Sequence, residues 1–211
     1  MPEHPVFAAI YDRALKGAER AGLAEMRHSL LADAQGRTLE LGAGTGLNLV
    51  HYPAAVSELV LVEPDPHMAK RLRGRITAAP PSVPVEVIAA PAEDLPFDDG
   101  SFDTVVSTLV LCTVEDPDRA VAEARRVLAP GGLFLFLEHV RSPRPGLARL
   151  QDLLERPWGW VAGGCHPNRS TEQAIAGGGF WVERLERDRL PGGMPVVRPA
   201  VRGLARRPGS G

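Results

Sequence analysis

Charge of one sign is missing from this chain: 24 Lys plus Arg stand against 26 Asp plus Glu, a formal net charge of −2. A balanced sequence lacks the basic stripe that neutralises phosphates, so no nucleic-acid partner is expected. Cysteine is also scarce. The two present, Cys112 and Cys165, lie in separate segments without CxxC spacing, which supports neither a disulfide scaffold nor a zinc site, and no metal is expected. Long apolar runs are absent. Residues 132–137 and 105–112 fall far short of the roughly 20 residues that cross a bilayer, so stable membrane insertion is not expected. The opening segment carries charges within its apolar portion and has no signal-peptide h-region, which makes a cytoplasmic location the expectation. No internal repeat stands out.

What is present is the composition of an ordinary globule. Hydrophobic residues make up 44% and charged residues 24% of 211 residues, enough for one domain with a sizeable core. Apolar residues at helical spacing (Phe7, Ile10, Tyr11, Leu15, Ala18, Leu23, Met26, Leu30) predict an N-terminal helical segment that Gly17 and Gly22 divide in two. Residues 1–36 are therefore read as a helical cap ahead of a catalytic domain spanning 37–211, with a substrate-side insertion near 141–170.

From residue 37 onward, strand and helix signals alternate. Apolar runs at 37–41, 58–62, 85–89, 102–107 and 133–137 predict strands. A helix is expected to begin over 47–52, and others to run from Asp65-Pro66 to about 76 and from Asp116-Pro117 to 128, the Asp-Pro pairs supplying an N-cap and a first-turn proline. The succession predicts an α/β fold, a mostly parallel sheet with helices on both faces. Farther along, 147–154 reads as a helix, 158–168 as a loop, Ser170 and Gln173 as a capping box, and 180–185 with 194–205 as a late antiparallel pair.

The strongest chemical signal is Glu40-Leu41-Gly42-Ala43-Gly44-Thr45-Gly46 at the end of the first strand. Glycines there let a ligand approach main chain that a side chain would shield. The spacing is neither the dinucleotide pattern GxGxxG nor a P-loop, which lowers the case for hydride transfer or ATP hydrolysis. Glu63 closes the second strand nineteen residues after Gly44. An acid at that place accepts hydrogen bonds from ribose hydroxyls in nucleoside-binding α/β sites.

ELGAGTG, with LVLVEPDPHM, AAPAEDLPFDDGSFDTVVSTLVLC and EARRVLAPGGLFLFLEHV, resembles the class I S-adenosylmethionine-dependent methyltransferases across residues 37–140. The resemblance implies a seven-stranded Rossmann-like sheet with the last strand antiparallel, and S-adenosyl-L-methionine as cofactor. It implies that Glu40 approaches the methionine end, that Gly42, Ala43, Gly44, Thr45 and Gly46 pass beneath the cofactor, and that Glu63 binds the ribose. Pro64 and Met68 would flank the adenine, Ala92 would offer it backbone with Glu93 or Asp94 nearby, and Thr108 and Leu109 would line the fourth-strand end. Many relatives carry an Asp where this chain has Pro91, which leaves the adenine contact open between Asp94, Glu93 and main chain.

The segments LEHVRSP and GGCHPNRST, together with the later Trp-containing stretch, resemble the branch that includes thiol S-methyltransferases, and more weakly the ubiquinone/menaquinone-biosynthesis methyltransferases. The branch implies a small-molecule acceptor, preferentially a thiol. The alternatives are O- or C-methylation of a quinone-like or secondary metabolite, and a non-catalytic cofactor-binding regulator. His139, after the fifth strand, is the candidate to orient the acceptor or receive a proton, against a structural role in steadying its loop. Phe7, Tyr11, Trp158, Trp160, Cys165 and His166 are candidate pocket walls, Cys112 reads as a small buried hydrophobe, and the segment through Asp12 is a candidate lid. Oligomeric state is not legible.

Overall fold

A computed structural model describes residues 5–209. Its centre is a seven-stranded sheet of order β3-β2-β1-β4-β5-β7-β6. The strands are β1 (Gly36–Leu41), β2 (Val56–Val62), β3 (Val85–Ile88), β4 (Phe102–Thr108), β5 (Leu128–His139), β6 (Trp181–Arg189) and β7 (Pro199–Arg206). β1 to β5 pair in parallel, whereas β7 runs antiparallel to both β5 and β6. The expected fold class is thus present, with β7 as the single reversed strand.

Period-two alternation sends successive residues to opposite faces. Leu39, Leu41, Val60, Val62, Phe134 and Phe136 point into one core with Ala120, Val121, Ala124 and Val127 of α4 (Pro117–Val127). Leu59, Leu61, Leu133, Leu135 and Leu137 point into the other. There they meet Leu30 and Leu31 of α2 (Ala24–Leu31) and Leu72 of α3 (Pro66–Ala78). A strand covered on both faces reads as a continuous apolar run, which is why LFLFL is so apolar.

Both Asp-Pro caps form. Asp65 accepts from the N–H groups of His67 and Met68, and Asp116 from those of Asp118 and Arg119, relieving donors that a first helical turn leaves unpaired. Three local expectations are corrected. Residues 47–52 make only a short 3-10 turn at Leu49–His51, because Gly46 and Pro53 bracket too few residues for an α-helix. Helix α5 runs Pro145–Val161, longer than expected, so Trp158 and Trp160 are helical and not in a loop; Pro157 stands inside it. Ser170 makes no side-chain cap on α6 (Thr171–Gly177); its carbonyl accepts from Gln173 N instead. The N-terminal segment divides in two as expected: between α1 (Pro5–Ala18) and α2 the chain kinks through a widened turn, Glu19–Leu23, at Gly22 with φ of 126°, while Gly17 stays within α1.

The chain builds β1, β2 and β3 outward in one direction, then crosses to lay β4 on the other side of β1. The carboxyl ends of β1 and β4 therefore flank a switch point, where neighbouring loops diverge and leave a crevice. No described helix is long and apolar enough to cross a membrane.

Candidate active site

The loop after β1 lies in that crevice. Gly42, Gly44 and Gly46 have φ of 52°, 58° and 83°, a region costly for side-chain-bearing residues. A Cβ on Gly42 would lie 2.8 Å from both Val110 methyl carbons, whereas one on Gly44 would meet nothing nearer than the Gly42 carbonyl at 3.9 Å. One side of the loop is packed tight against the segment after β4 and the other is open to a ligand. Glu63 Oε2 accepts from Gly44 N at 2.7 Å and Oε1 from Asp65 N at 2.9 Å. Burial pushes its carboxyl above the usual range, opposed by those two N–H groups. An acid so desolvated gains from further donors, and a ribose diol offers two. The bare loop and this carboxylate fit an S-adenosyl nucleoside.

At the other end of the crevice lies a polar network. Glu40 accepts from Asn48 Nδ2 at 2.9 Å and from the Tyr52 hydroxyl at 2.7 Å. Arg27 Nη1 donates to Asn48 Oδ1 at 2.9 Å and to Thr108 Oγ1 at 3.3 Å. Burial raises the Glu40 carboxyl to about 7 even against these bonds. The cavity left between the two ends is small, about 20 Å³, and is lined by the glycine loop, Tyr11, Arg27, Glu40, Asn48 and Thr108. Sites that enclose small ligands usually run from roughly 300 to 1,000 Å³, and here α1 closes the mouth. Thr45 Oγ1 donates to Asp12 at 2.5 Å and Arg75 pairs with the same carboxylate. Tyr11 lies edge-on to Phe7 with ring centres 5.3 Å apart, and the Phe7 ring sits where a Cβ on Gly163 would fall.

Met68 is buried on α3, following Pro64 at the turn after Glu63. Ala92 and Glu93 are buried while Asp94 is exposed. Glu93 Oε1 accepts from Glu115 N at 2.7 Å, and Oε2 is buried without a partner among the described residues. The chain thus braces the entry to α4 with one oxygen of Glu93 and leaves the other uncommitted.

At the end of β4, Leu109 adopts φ of 60° and donates its N–H to Leu137 O at 2.8 Å. Buried Glu138 holds the following turn by accepting from Ser107 Oγ, Val110 N and Leu111 N. His139 is buried too, its Nε2 3.0 Å from Cys165 Sγ. Trp158 Nε1 donates to the same sulfur at 3.3 Å. Donors from Cys112, His139 and Trp158 hold the Cys165 thiol well below its ordinary range, while the Cys112 thiol is pushed up by that hydrogen bond and by burial. Cys112 is buried as expected, and it belongs to this cluster. Trp160, offered as a pocket wall, is instead 84% exposed. It is the next-to-last residue of α5. His166 Nδ1 pairs with Glu155 at 2.8 Å, and its backbone N–H ties the loop to Cys112 O.

Several residues of the crevice escaped sequence reasoning. Arg27 completes the face of Leu23, Met26 and Leu30 and is buried; a charge at an apolar position was the available signal. Asn48 and Tyr52 sit just past the glycine loop, with nothing local to mark them. Gln151 is fully buried and binds Ser142 N and the carbonyls of Val140, Pro167 and Val196, fastening α5 beside the cluster.

A reversed strand in a seven-stranded Rossmann-like sheet, with a glycine cradle and a strand-end acid, defines a class I S-adenosylmethionine-dependent methyltransferase. A family described as a methyltransferase domain matches residues 39–136. Human thiol S-methyltransferase TMT1B is 33% identical over 196 residues, covering 92% of this chain and 80% of that protein. Human TMT1A is 30% identical over 201 residues, covering 94% and 82%. A SAM-dependent methyltransferase structure from Thermotoga maritima superposes with a TM-score of 0.68 at 25% identity, covering 96% of this chain and 97% of that one. The chain belongs to the class I S-adenosylmethionine-dependent methyltransferases, in the family that includes these thiol S-methyltransferases.

Proposed function

We propose that this enzyme methylates a small thiol, with the cofactor lying across residues 42–46, its ribose on Glu63 and its methionine end toward Glu40. The observation that carries the cofactor's placement is the buried Glu63 carboxylate bonded to Gly44 N at 2.7 Å, beside a loop face that carries no side chain. S-Adenosylmethionine, when bound, supplies a methyl group on a positively charged sulfur. The protein's part is to hold an acceptor in line behind that methyl and keep water out, and such positioning can lower a barrier by about 7 to 11 kcal/mol. Residues 1–36 serve as the cap: Tyr11 and the Asp12 tether to Thr45 and Arg75 close over the cradle. Opening of α1 admits both substrates. His139 and Trp158 line the acceptor side through Cys165, and Glu93 Oε2 is the acceptor left for the adenine amino group where Pro91 replaces an acid. Two unpaired thiols suit a reducing compartment, which supports a cytoplasmic enzyme.

The thiol choice rests on kinship with the thiol S-methyltransferases and on a site wall built from sulfur and imidazole. A panel of alkyl thiols and phenols with labelled S-adenosylmethionine tests it: methylation of thiols is expected, and turnover confined to phenols would move the enzyme to O-methylation.

A pH dependence follows from Glu40. Its folded-state carboxyl titrates at about 7 against an ordinary value of 4.5. The cofactor-free protein therefore loses stability as pH climbs from 4.5 to about 7, where the unfolded chain has already released the proton. Only the ionised form attracts the α-ammonium of the methionine end, so affinity rises as pH passes through about 7. Titration calorimetry should find binding roughly tenfold tighter at pH 8 than at pH 6, and Glu40→Gln should flatten that dependence. An equally steep profile in the variant would assign it to another group.

A further inference from the structure

Cys112, His139 and Cys165 come from three separate segments: the turn after β4, the end of β5, and the loop after α5. One ligand atom from each lies within 4.8 Å of the others, and all three residues are buried. Sequence spacing gave no reason to expect a metal here. The fold removes that objection, because the sheet edge and the Gly163-Gly164 turn bring distant residues to one point.

Two features make the cluster more than a chance packing of thiols. Every candidate ligand atom is sulfur or imidazole nitrogen, a set that suits zinc and is poor for calcium or magnesium. The nearest carboxylate in sequence, Glu138, is already committed to Ser107, Val110 and Leu111 and does not compete. The His139 ring turns Nε2 toward the sulfurs, 3.0 Å from Cys165 Sγ, and its other nitrogen, Nδ1, is buried with no partner among the described residues, so no hydrogen bond on that side competes for the ring. A dication bound by two thiolates and a neutral imidazole forms a locally uncharged unit, which a buried site tolerates far better than an isolated ion. Trp158 Nε1, donating to Cys165 Sγ, supplies the outer-sphere N–H that steadies a thiolate ligand.

We propose that Cys112, His139 and Cys165 bind one zinc ion, and that the fourth tetrahedral position takes the sulfur of the acceptor thiol. Three protein ligands with an open position are the pattern of reactive zinc sites, whereas structural sites use four. A thiol R–SH entering that position displaces water and binds through sulfur as the thiolate, its proton passing to solvent; no oxidant or reductant is needed. The metal site stands on the three side chains alone, and the thiol at its open position rests on the acceptor reading above.

The full-length chain, produced with added zinc and purified without chelator, should carry about one zinc per chain by plasma mass spectrometry. Cys165→Ser and His139→Gln should each fall below about a tenth of that. Because either variant can fail to fold, the wild-type protein is also loaded with cobalt(II), which should give sulfur-to-cobalt charge-transfer bands in the near ultraviolet. Propanethiol should then shift the visible cobalt bands. A wild-type chain free of zinc, with Cys112 and Cys165 either joined as a disulfide or both titrating as free thiols on unfolding, overturns the site. Zinc bound but cobalt bands unmoved by propanethiol, in an enzyme that still methylates it, overturns the open position. Metal and charge-transfer bands present, with no thiol methylated at all, upholds the site and removes the thiol acceptor instead.

Discussion

Glu63→Ala is expected to weaken S-adenosylmethionine binding by roughly a hundredfold or more. Hydrogen bonds to a charged acceptor contribute about 1.5 to 3 kcal/mol each, and a ribose diol makes two. The loss is not recovered by the loop itself, since Gly44 N and Asp65 N lose their shared acceptor at the same time and the cradle loosens. Glu63→Gln should fare little better: one of the two oxygens becomes an NH₂ that must face a backbone N–H or a ribose hydroxyl already bonded elsewhere. The cofactor-free protein, by contrast, should keep its melting temperature. Burial raises the Glu63 carboxyl, so above the unfolded-state value its ionisation costs the folded state, and alanine removes that cost. Titration calorimetry and thermal melts on one preparation separate binding from folding. An unchanged dissociation constant would take Glu63 out of the site and the nucleoside with it.

The legible parts of this enzyme were those encoded by neighbouring residues. The five parallel strands, both Asp-Pro helix starts and the glycine loop each depend on a few consecutive side chains, so periodicity and turn chemistry expose them. Glu63 was legible because the end of a strand next to the first loop is a fixed place in a parallel sheet. The hidden parts depend on tertiary approach. Arg27 is buried only because α2 packs over the crevice, and Asn48 acquires meaning only with Glu40 and Thr108 beside it. Cys112, His139 and Cys165 carried no signature in their spacing, since two loops and a strand end deliver them. The reach of α5 was underestimated because Gly146, Pro157 and Gly159 lower helix propensity locally, and packing overrides it. Buried Gln151 ties that helix to four backbone partners at once. The same division holds for the cap: the helical spacing of α1 is plain in the sequence, and its tether through Asp12 to Thr45 and Arg75 is not.

Gly203→Ala is expected to be the most damaging single methyl group that can be added to the sheet. Gly203 sits in β7, the one reversed strand, opposite Phe136 on β5 and Leu185 on β6. A Cβ there would fall 2.1 Å from the Arg184 carbonyl oxygen and 2.7 Å from the Phe136 ring. The pairing of β6 with β7 shifts register between Val182 and Arg184, and such an irregularity bends one backbone toward its neighbour. A clash with a side-chain tip is relieved by a rotamer change, whereas a clash with a carbonyl oxygen requires the strands to part. Overpacking of ordinary cores costs about 1 to 3 kcal/mol, and the backbone obstacle places this variant at or beyond the upper end. A loss of about 3 kcal/mol corresponds to a melting temperature lower by roughly 6 to 12 °C in a chain of this size. The effect should reach the active site as well, because β7 supports β5, whose far end presents Glu138 and His139. Reduced turnover is therefore expected to accompany the lower melting temperature. A melting temperature within a degree or two of the parent would mean that β6 can move aside freely, and that the outer pair of strands contributes little to holding the inner five.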